Sequence, residues 1–327
     1  MHMLPGFSAF ERRRLSHKVT HLMGILLFIP ACAFAIVGGE GADPDTATSP
    51  WAGVGSVLVS AGGDPGTFSG TLIAPNYVLT AAHVVAGLVG DPSAVTFQIN
   101  AGSTIQISAS QIFVDPAYTG GASADGTVHN DLAIIQLSSA APGSVPIYSL
   151  DTSPLSAGQT LTFVGYGNGG DGISGATIAK DPAVKRVGEN NADVFLSGPL
   201  GQEVYLFDFD GPTAATNVFG PAIPANLTLG ANVEATLASG DSGSPGFIVN
   251  PDGSLQLAVV NTFVGSVEGG PAPSLFGSVG GGIVVAGYVP WIDSIITAPV
   301  PEPRTWLLLL PGLLGLGMAR FFYKKEV

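Results

Sequence analysis

The sequence predicts an all-β fold with many turns. Short β-rich runs, such as 54–60, 132–137 and 255–260, are separated by clusters of Gly, Pro, Asn and Asp. Helix signals are scarce along the whole chain. About 260 residues lie between the two terminal segments, which is enough to bury a sizeable core.

The segment 1–35 has the pattern of a secretory signal peptide. Four basic residues between 12 and 18 precede an apolar core at 22–30, and Ala33-Phe34-Ala35 forms a cleavage site for signal peptidase. The apolar core is well short of the about 20 residues that a spanning helix needs, which disfavours a retained anchor. Cys32 is the only cysteine, so a chain that begins at Ile36 would contain no disulfide. Lipidation of Cys32 is a minor alternative, because a proline nearby fits a lipobox poorly.

Three short segments supply the residue types of a nucleophilic triad. They are Leu79-Thr80-Ala81-Ala82-His83, Asn130-Asp131-Leu132-Ala133 and Gly240-Asp241-Ser242-Gly243-Ser244-Pro245. A serine hydroxyl is a weak nucleophile, so an imidazole must take its proton and return it to the leaving group, the role predicted for His83. A carboxylate on the other ring nitrogen holds the required tautomer, the role predicted for Asp131, and Ser242 attacks.

The glycine before the Asp-Ser pair predicts an oxyanion hole. Without a Cβ, Gly240 lets the backbone turn so that the amides of Gly240 and Ser242 aim at the developing negative charge. A lone histidine is more often a satisfied polar residue than a catalyst, and we interpret His129 as a loop residue for this reason. The chain order His, Asp, Ser disfavours an α/β-hydrolase, as does Ser244 at the fifth position of the Gly-x-Ser-x-Gly pattern.

Four further motifs accompany the triad segments. They are Ile36-Val37-Gly38-Gly39, Gly70-Thr71-Leu72-Ile73-Ala74-Pro75, Gly165-Tyr166-Gly167 and residues 288–296 (YVPWIDSII). With them, residues 36–297 resemble the trypsin/chymotrypsin family of serine peptidases. The motifs are similar to its mature N-terminus, the strand before its histidine, the Gly-aromatic-Gly of its second barrel and its C-terminal helix. Residues 168–235 carry no landmark of the family.

The resemblance implies a chymotrypsin-like double β-barrel. We expect the first barrel at 36–150 and the second barrel, with a short C-terminal helix, at 151–297, with the triad in the cleft between them. The resemblance also implies an activation pair, in which the ammonium of a new N-terminus at Ile36 binds the carboxylate of Asp241. The predicted signal-peptidase site lies directly before Ile36, so export alone would create this terminus.

The resemblance further implies which residues form the S1 pocket. The family places the pocket base six residues before the nucleophile, at Thr236, and we expect the pocket wall at Asn261, Thr262 and Phe263. An uncharged base offers no counter-ion to a buried Lys or Arg side chain, which predicts cleavage after uncharged, apolar residues. A loop shift of two residues would put Glu234 at the base instead.

The charge of the chain excludes one class of partner. Residues 36–299 contain three cations, Lys180, Lys185 and Arg186, against 21 carboxylates, a formal net charge of −18. Nucleic acids and anionic surfaces are therefore not expected to bind. The acidic loops 168–172 and 208–211 lack a full set of calcium ligands and are interpreted as turns, so neither a metal nor a cofactor is expected.

The segment 298–327 carries a second targeting pattern. Val300-Pro301-Glu302-Pro303 precedes an apolar run at 306–319 and basic residues at 320–325. This tail resembles the PEP-CTERM sorting tails of Gram-negative bacteria that make exopolysaccharide, which implies cleavage by an exosortase-type membrane protease. A simple C-terminal membrane anchor is the alternative. The basic end would lie on the cytoplasmic side in both cases.

Together these patterns predict an exported serine endopeptidase that hydrolyses proteins or peptides through an acyl-enzyme. We expect it at the cell surface, outer envelope or extracellular matrix. Gly243-Ser244-Pro245 stands where most animal enzymes of the family have Gly-Gly-Pro, and this keeps a glutamyl-endopeptidase-like specificity open. The other alternative is a catalytically idle surface or matrix protein that uses the same fold for binding. Such proteins usually lose a triad member, and this chain has all three.

Overall fold

The computed structural model describes residues 34–39, 41–60, 65–220, 228–230 and 233–297. They lie in one compact unit of the chain, Ala33–Val327, and the other unit, Met1–Cys32, is outside the described residues. The predicted signal peptide up to residue 33 and the predicted sorting tail are likewise outside them. Within the described ranges, no helix has the length and apolar character needed to span a bilayer.

In these ranges the chain is mostly β-structure, with two short α-helices. The strands are β1 (Phe34–Ala35), β2 (Gly41–Ala42), β3 (Val54–Val59), β4 (Gly66–Ala74), β5 (Tyr77–Thr80), β6 (Val95–Asn100), β7 (Thr104–Val114), β8 (Ala133–Leu137), β9 (Ser149–Leu150), β10 (Gln159–Gly165), β11 (Gly169–Asp171), β12 (Gly175–Ile178), β13 (Arg186–Ala192), β14 (Val194–Gly198), β15 (Gly201–Asp208), β16 (Pro245–Val249), β17 (Leu255–Gly265) and β18 (Val279–Val284). The helices are α1 (Ala82–Val85) and α2 (Val289–Ile296).

The first half of the domain is a closed barrel. Its six strands follow the order β3-β4-β5-β8-β7-β6. Alternate side chains of a barrel strand point inwards, and here Val57, Leu72 and Phe97 are fully buried in the interior. Because β5 pairs antiparallel with β8, with Thr80 opposite Ala133, the chain leaving β5 and the chain entering β8 meet at one end of the barrel.

The second half is a nine-stranded sheet. Its order is β14-β15-β18-β17-β16-β10-β13-β2, and β9 pairs with β17 as its only parallel neighbour among the described strands. The ring of Phe207 contacts those of Phe163 and Tyr205, with centroids 5.1 and 5.9 Å apart, and all three side chains are fully buried. The strands β1, β11 and β12 form a separate three-stranded sheet. The segment 240–244 is the turn that leads into β16.

A buried ion pair joins the N-terminal segment to both halves. Lys185 is fully buried, and its Nζ lies 3.1 Å from Asp43 Oδ2 and 3.0 Å from Asp45 Oδ1. The same ammonium donates to the carbonyl of Asn100, at the end of β6. Because loss of one partner leaves an uncompensated buried charge, truncating such a pair typically costs about 3 to 5 kcal/mol.

The predicted all-β fold with a short C-terminal helix is confirmed. The closed barrel occupies the expected first half, the nine-stranded sheet occupies the place of the expected second barrel, and α2 lies within the motif at 288–296. The turn at 240–244 is bonded to the barrel, because the amide of Ser69 in β4 donates to the carbonyl of Ser242 at 3.0 Å. The fold therefore brings the three triad segments to one face between barrel and sheet.

Candidate active site

His83 and Asp131 form a hydrogen-bonded pair at the end of the barrel. His83 lies in α1, directly after β5, and Asp131 lies two residues before β8. Asp131 Oδ2 is 2.7 Å from His83 Nδ1, and Asp131 Oδ1 accepts the backbone N–H of His83 at 2.8 Å. The carboxylate thus fixes both the ring and its backbone, and it leaves Nε2 available to take a proton. The side chain of Asp131 is 4% exposed and that of His83 is 35% exposed.

The loop before Asp131 is held by the C-terminal helix region. Asn130 adopts a left-handed conformation with φ of 57°, which asparagine tolerates better than most residues. Its side-chain oxygen accepts the hydroxyl of Tyr288 at 3.0 Å, and its carbonyl accepts the N–H of Leu132 at 2.8 Å. The position of Asp131 therefore depends on contacts with the second half of the domain.

The nucleophile turn needs two glycines. Gly240 has φ of 103° and Gly243 has φ of 83°, both in the left-handed region. A Cβ at Gly243 would lie 2.1 Å from Thr80 Oγ1 and 2.3 Å from the carbonyl oxygen of Ser69. Sequence reasoning identified Gly240 but missed the role of Gly243. The second glycine allows the turn to press against the barrel that carries His83.

The two predicted oxyanion-hole donors lie in the turn at 240–244. Among the described residues, the backbone N–H groups of Gly240 and Ser242 donate to no acceptor. The neighbouring carbonyl groups accept hydrogen bonds from other parts of the domain. Ser239 O accepts from Asn168 N at 2.9 Å, Gly240 O accepts from Ser69 Oγ at 3.1 Å, and Ser242 O accepts from Ser69 N at 3.0 Å. Two free donors beside the nucleophile are the arrangement that stabilises a developing oxyanion.

Ser242 and the His83–Asp131 pair line adjoining cavities. One cavity, of about 340 Å³, is lined by His83, Asp131, Tyr118, Thr262 and Phe263, together with loop residues. The other, of about 290 Å³, is lined by Ser242, Thr262, Phe263, Val264 and residues 237–239. The described residues show no hydrogen bond between Ser242 Oγ and His83. Catalytic hydrogen bonds of this kind are often long without substrate and tighten when substrate binds.

Two of the four predicted S1 residues lie elsewhere. Thr262 and Phe263 line the cavity beside Ser242, whereas Thr236 and Asn261 are fully buried and do not line it. The backbone of Thr236 pairs with Val37, and the side-chain amide of Asn261 donates to Ser244 Oγ at 2.9 Å. Thr236 and Asn261 therefore belong to the buried interior and not to the lining of the cavity. The wall is completed by Leu237, Ala238, Ser239 and Val264, which sequence reasoning missed.

The carboxylate of Glu234 does not line the S1 cavity. Glu234 is 2% exposed, and its two oxygens accept the backbone N–H groups of Asp210 and Leu229 at 2.7 and 2.8 Å. Burial raises the pKa of this carboxyl to about 7. The S1 cavity is accordingly lined by uncharged side chains alone.

The two residues of the predicted activation pair, Ile36 and Asp241, are both buried. Ile36 is fully buried, and the neighbouring Val37 forms a backbone bridge with Thr236. Asp241 is 1% exposed, and it accepts the N–H groups of Gly167 and Ala238 at 2.8 and 2.9 Å. In the uncleaved chain the nitrogen of Ile36 is an amide, and Asp241 has no ion-pair partner among the described residues. Burial raises the pKa of Asp241 to about 6.

His129 bridges the Asp131 loop to β15, a role that sequence reasoning missed. Its Nδ1 lies 2.8 Å from Glu203 Oε2, and its Nε2 lies 2.8 Å from Asp125 Oδ2. Burial lowers the pKa of His129, but the hydrogen bonds to Glu203 and Asp125 outweigh burial and raise it. Glu203 is 74 residues away along the chain, so no local pattern could have indicated the contact.

The second half of the domain buries a group of carboxyls without a cation. Asp193 and Asp208 lie close together, and burial followed by their mutual repulsion raises the pKa of Asp193, while burial also raises that of Asp208. Burial raises the pKa of Asp210 to about 6. No group of three or more His, Cys, Asp or Glu side chains within the described ranges is arranged to hold a metal ion.

We expect the protein to lose stability as pH rises. A carboxyl whose folded pKa is raised stabilises the fold fully below its unfolded pKa of about 4, and this contribution is lost as pH rises through the folded pKa. The free energy of unfolding should therefore fall between pH 5 and pH 8 by more than about 1 kcal/mol. Asp193→Asn should raise the free energy of unfolding at pH 8 and reduce its change between pH 5 and pH 8. Chemical denaturation at both pH values measures this.

The matched control for the pH experiment is Asp252→Asn. Asp252 is an exposed carboxyl that accepts hydrogen bonds from Ser254 and from its own backbone N–H. Its removal should leave the fall in the free energy of unfolding between pH 5 and pH 8 as it is in the wild type. A free energy of unfolding that does not change between pH 5 and pH 8 would contradict the account of the buried carboxyls.

Comparison with known protein families finds a match for part of the chain. Residues 36–183 match the Trypsin family, over a range that contains His83 and Asp131 and ends before Ser242. No curated protein matches the chain.

Proposed function

We propose, from the trypsin-family domain over residues 36–183, that this chain is an exported serine endopeptidase. The family match supports a serine peptidase in general terms, and the remaining steps rest on the site. The observation that carries the proposal is the turn at 240–243, which holds two free N–H groups beside Ser242, at the face where Asp131 orients His83. This arrangement fits acyl transfer to a serine.

The geometry supports the following reaction. Ser242 Oγ attacks the scissile carbonyl while its proton passes to His83 Nε2, and Asp131 stabilises the imidazolium. The oxyanion accepts hydrogen bonds from Gly240 N and Ser242 N. The C–N bond then breaks, and the amine leaves with the proton from His83. A water repeats the sequence on the acyl-enzyme, releases the acid and returns the proton to Ser242.

Hydrolysis of a peptide library by the exported protein tests this proposal. Cleavage that disappears in Ser242→Ala is the expected result, because the proposed acyl-enzyme forms on this hydroxyl. The alternative of an idle surface or matrix binding protein predicts that neither protein cleaves any peptide. That outcome would refute the peptidase proposal.

We expect the enzyme to cleave after uncharged residues. The S1 cavity is lined by Leu237, Ala238, Ser239, Thr262, Phe263 and Val264 beside Ser242. A Lys, Arg or Glu side chain in this cavity would lose its hydration without gaining a counter-ion, so kcat/KM should favour an apolar P1 residue by about 100-fold or more. Peptides that differ only at P1 measure the preference.

The same series separates the alternatives of specificity. Efficient cleavage after Glu would support the glutamyl-endopeptidase-like alternative and contradict the apolar preference. Efficient cleavage after Lys or Arg that is lost in Glu234→Gln would show that Glu234 reaches the pocket, contrary to its contacts with Asp210 and Leu229.

The two terminal segments support a proposal about location. The pattern of residues 1–35 supports export with cleavage by signal peptidase, and the pattern of 298–327 supports sorting by an exosortase-type protease at the membrane. The catalytic domain would then act at the cell surface, outer envelope or extracellular matrix of a Gram-negative bacterium.

A further inference from the structure

Lys180 lies beside the turn at 240–244 and has no direct ion-pair partner among the described residues. Burial raises the pKa of Asp241 in that turn, and the charge of Lys180 acts against this rise. Among the three cations of residues 36–299, Lys185 pairs with two aspartates, and Arg186 donates to the carbonyls of Gly167 and Val184. The ammonium of Lys180 has no hydrogen bond or ion pair with any described residue, and the side chain is half-buried. Its Nζ lies over the ring of Phe68, 5.2 Å from the centroid.

The backbone of Lys180 is fixed relative to the oxyanion hole. Its N–H donates to Asn168 Oδ1 at 2.9 Å, and the N–H of Asn168 donates to the carbonyl of Ser239 at 2.9 Å. The side chain then passes close to Gly240, since a Cβ placed there would lie 2.9 Å from Lys180 Cδ. Two hydrogen bonds and one close contact therefore hold the Lys180 side chain next to Gly240, whose N–H is one of the two proposed oxyanion donors.

Phe68 places the ammonium on one particular side of Ser242. It directly precedes Ser69, whose N–H and hydroxyl hold the carbonyls of Ser242 and Gly240. Neither Phe68 nor Lys180 lines the two cavities that share Thr262 and Phe263. A peptide that places its acyl half in those cavities must pass over Ser242 and Gly240, so its leaving half continues past Phe68 and Lys180.

We propose that Lys180 selects substrates with an acidic residue at P1′ or P2′, on the leaving-group side of the cut. This inference rests on the proposed peptidase function and names the class of its substrates. The surrounding domain carries a net charge of −18, which repels acidic peptides, so a local cation is needed to admit one. The ring of Phe68 beneath the ammonium limits the positions that the side chain can take.

The test uses peptides identical from P4 to P1 that carry Glu, Gln or Lys at P1′ and, in a second set, at P2′. We expect the wild type to cleave the Glu peptide of one set about 3- to 5-fold faster than the Gln peptide, judged by kcat/KM. The ratio should fall towards one in 1 M salt, where the screening length is about 3 Å.

Three variants of Lys180 give matched comparisons. The Glu-to-Gln ratio should persist in Lys180→Arg, vanish in Lys180→Gln and turn into a preference for the Lys peptide in Lys180→Glu. Because each ratio is taken within one variant, a general loss of activity or folded protein cancels. A control pair of peptides, with Glu or Gln at P3, should give the same Glu-to-Gln ratio of kcat/KM in the wild type and in all three variants.

The outcomes separate this inference from the peptidase proposal. If the wild type cleaves Glu and Gln peptides equally in both sets, or if the preference survives in Lys180→Gln, the role of Lys180 is wrong and the peptidase stands. If the wild type cleaves none of the peptides, the peptidase proposal itself fails.

Discussion

Ser242→Ala and His83→Ala are each expected to lower kcat by about 10⁴- to 10⁶-fold, the scale seen when a member of such a triad is removed. Ser242 lies in the turn whose two N–H groups have no acceptor among the described residues, and Asp131 holds the ring of His83 at the adjoining cavity. Because the triad acts as a unit, the double variant should be little worse than either single one. Steady-state hydrolysis of the best library peptide measures all three.

His129→Gln is the matched control for His83→Ala. Both histidines contact carboxylates at 2.7 to 2.8 Å, but His129 lines neither cavity of the site. Its replacement should therefore cost far less than that of His83. Activity near that of the wild type in Ser242→Ala would contradict the assignment of the nucleophile.

Asp241→Asn is expected to reduce activity severely while His83, Asp131 and Ser242 stay in place. A buried ion pair between Asp241 and a new N-terminus at Ile36 would lock the loop 236–242, and loss of one partner typically costs roughly 3 to 5 kcal/mol. In the uncleaved chain, burial raises the pKa of this carboxyl to about 6. An added ammonium at Ile36 would stabilise the charged form of the carboxyl. Gly167 N and Ala238 N already hold its two oxygens in place.

The activation pair also predicts a reversible loss of activity in alkali. Pairing raises the folded pKa of the amine above its unfolded value of about 7.7 to 8.0. The stabilisation is then complete below the unfolded pKa and is lost as pH rises through the folded pKa. N-terminal sequencing of the exported protein checks the terminus, and a fully active enzyme that begins before Ile36 would refute the mechanism.

The fold and the pairing of His83 with Asp131 could be predicted because their signals are local. Runs such as 54–60 and 255–260 carry enough β-forming residues between turn residues to indicate strands, and β3 and β17 form there. Strand β13 is polar and lacks the β-rich pattern of these runs. Its buried Asn190 donates to the carbonyls of Asp208 and Ala235, and such distant partners leave no trace in a local pattern.

The predicted S1 residues show what counting along the chain does not contain. Thr236, six residues before Ser242, is fully buried and does not line the cavity beside Ser242, and its backbone pairs with Val37. Asn261 is likewise drawn away from the cavity by Ser244 and Tyr205. The burial of these positions depends on tertiary contacts, which the spacing of residues does not contain.

Reaction with a fluorophosphonate, followed by intact-mass analysis and peptide mapping, tests the central claim most directly. The exported protein that begins at Ile36 should gain one adduct, located on Ser242, and His83→Ala should react far more slowly. The oxyanion donors Gly240 N and Ser242 N are free to hold the phosphonyl oxygen of this probe. A folded protein with this terminus that forms no adduct, or one whose adduct persists in Ser242→Ala, would contradict the account.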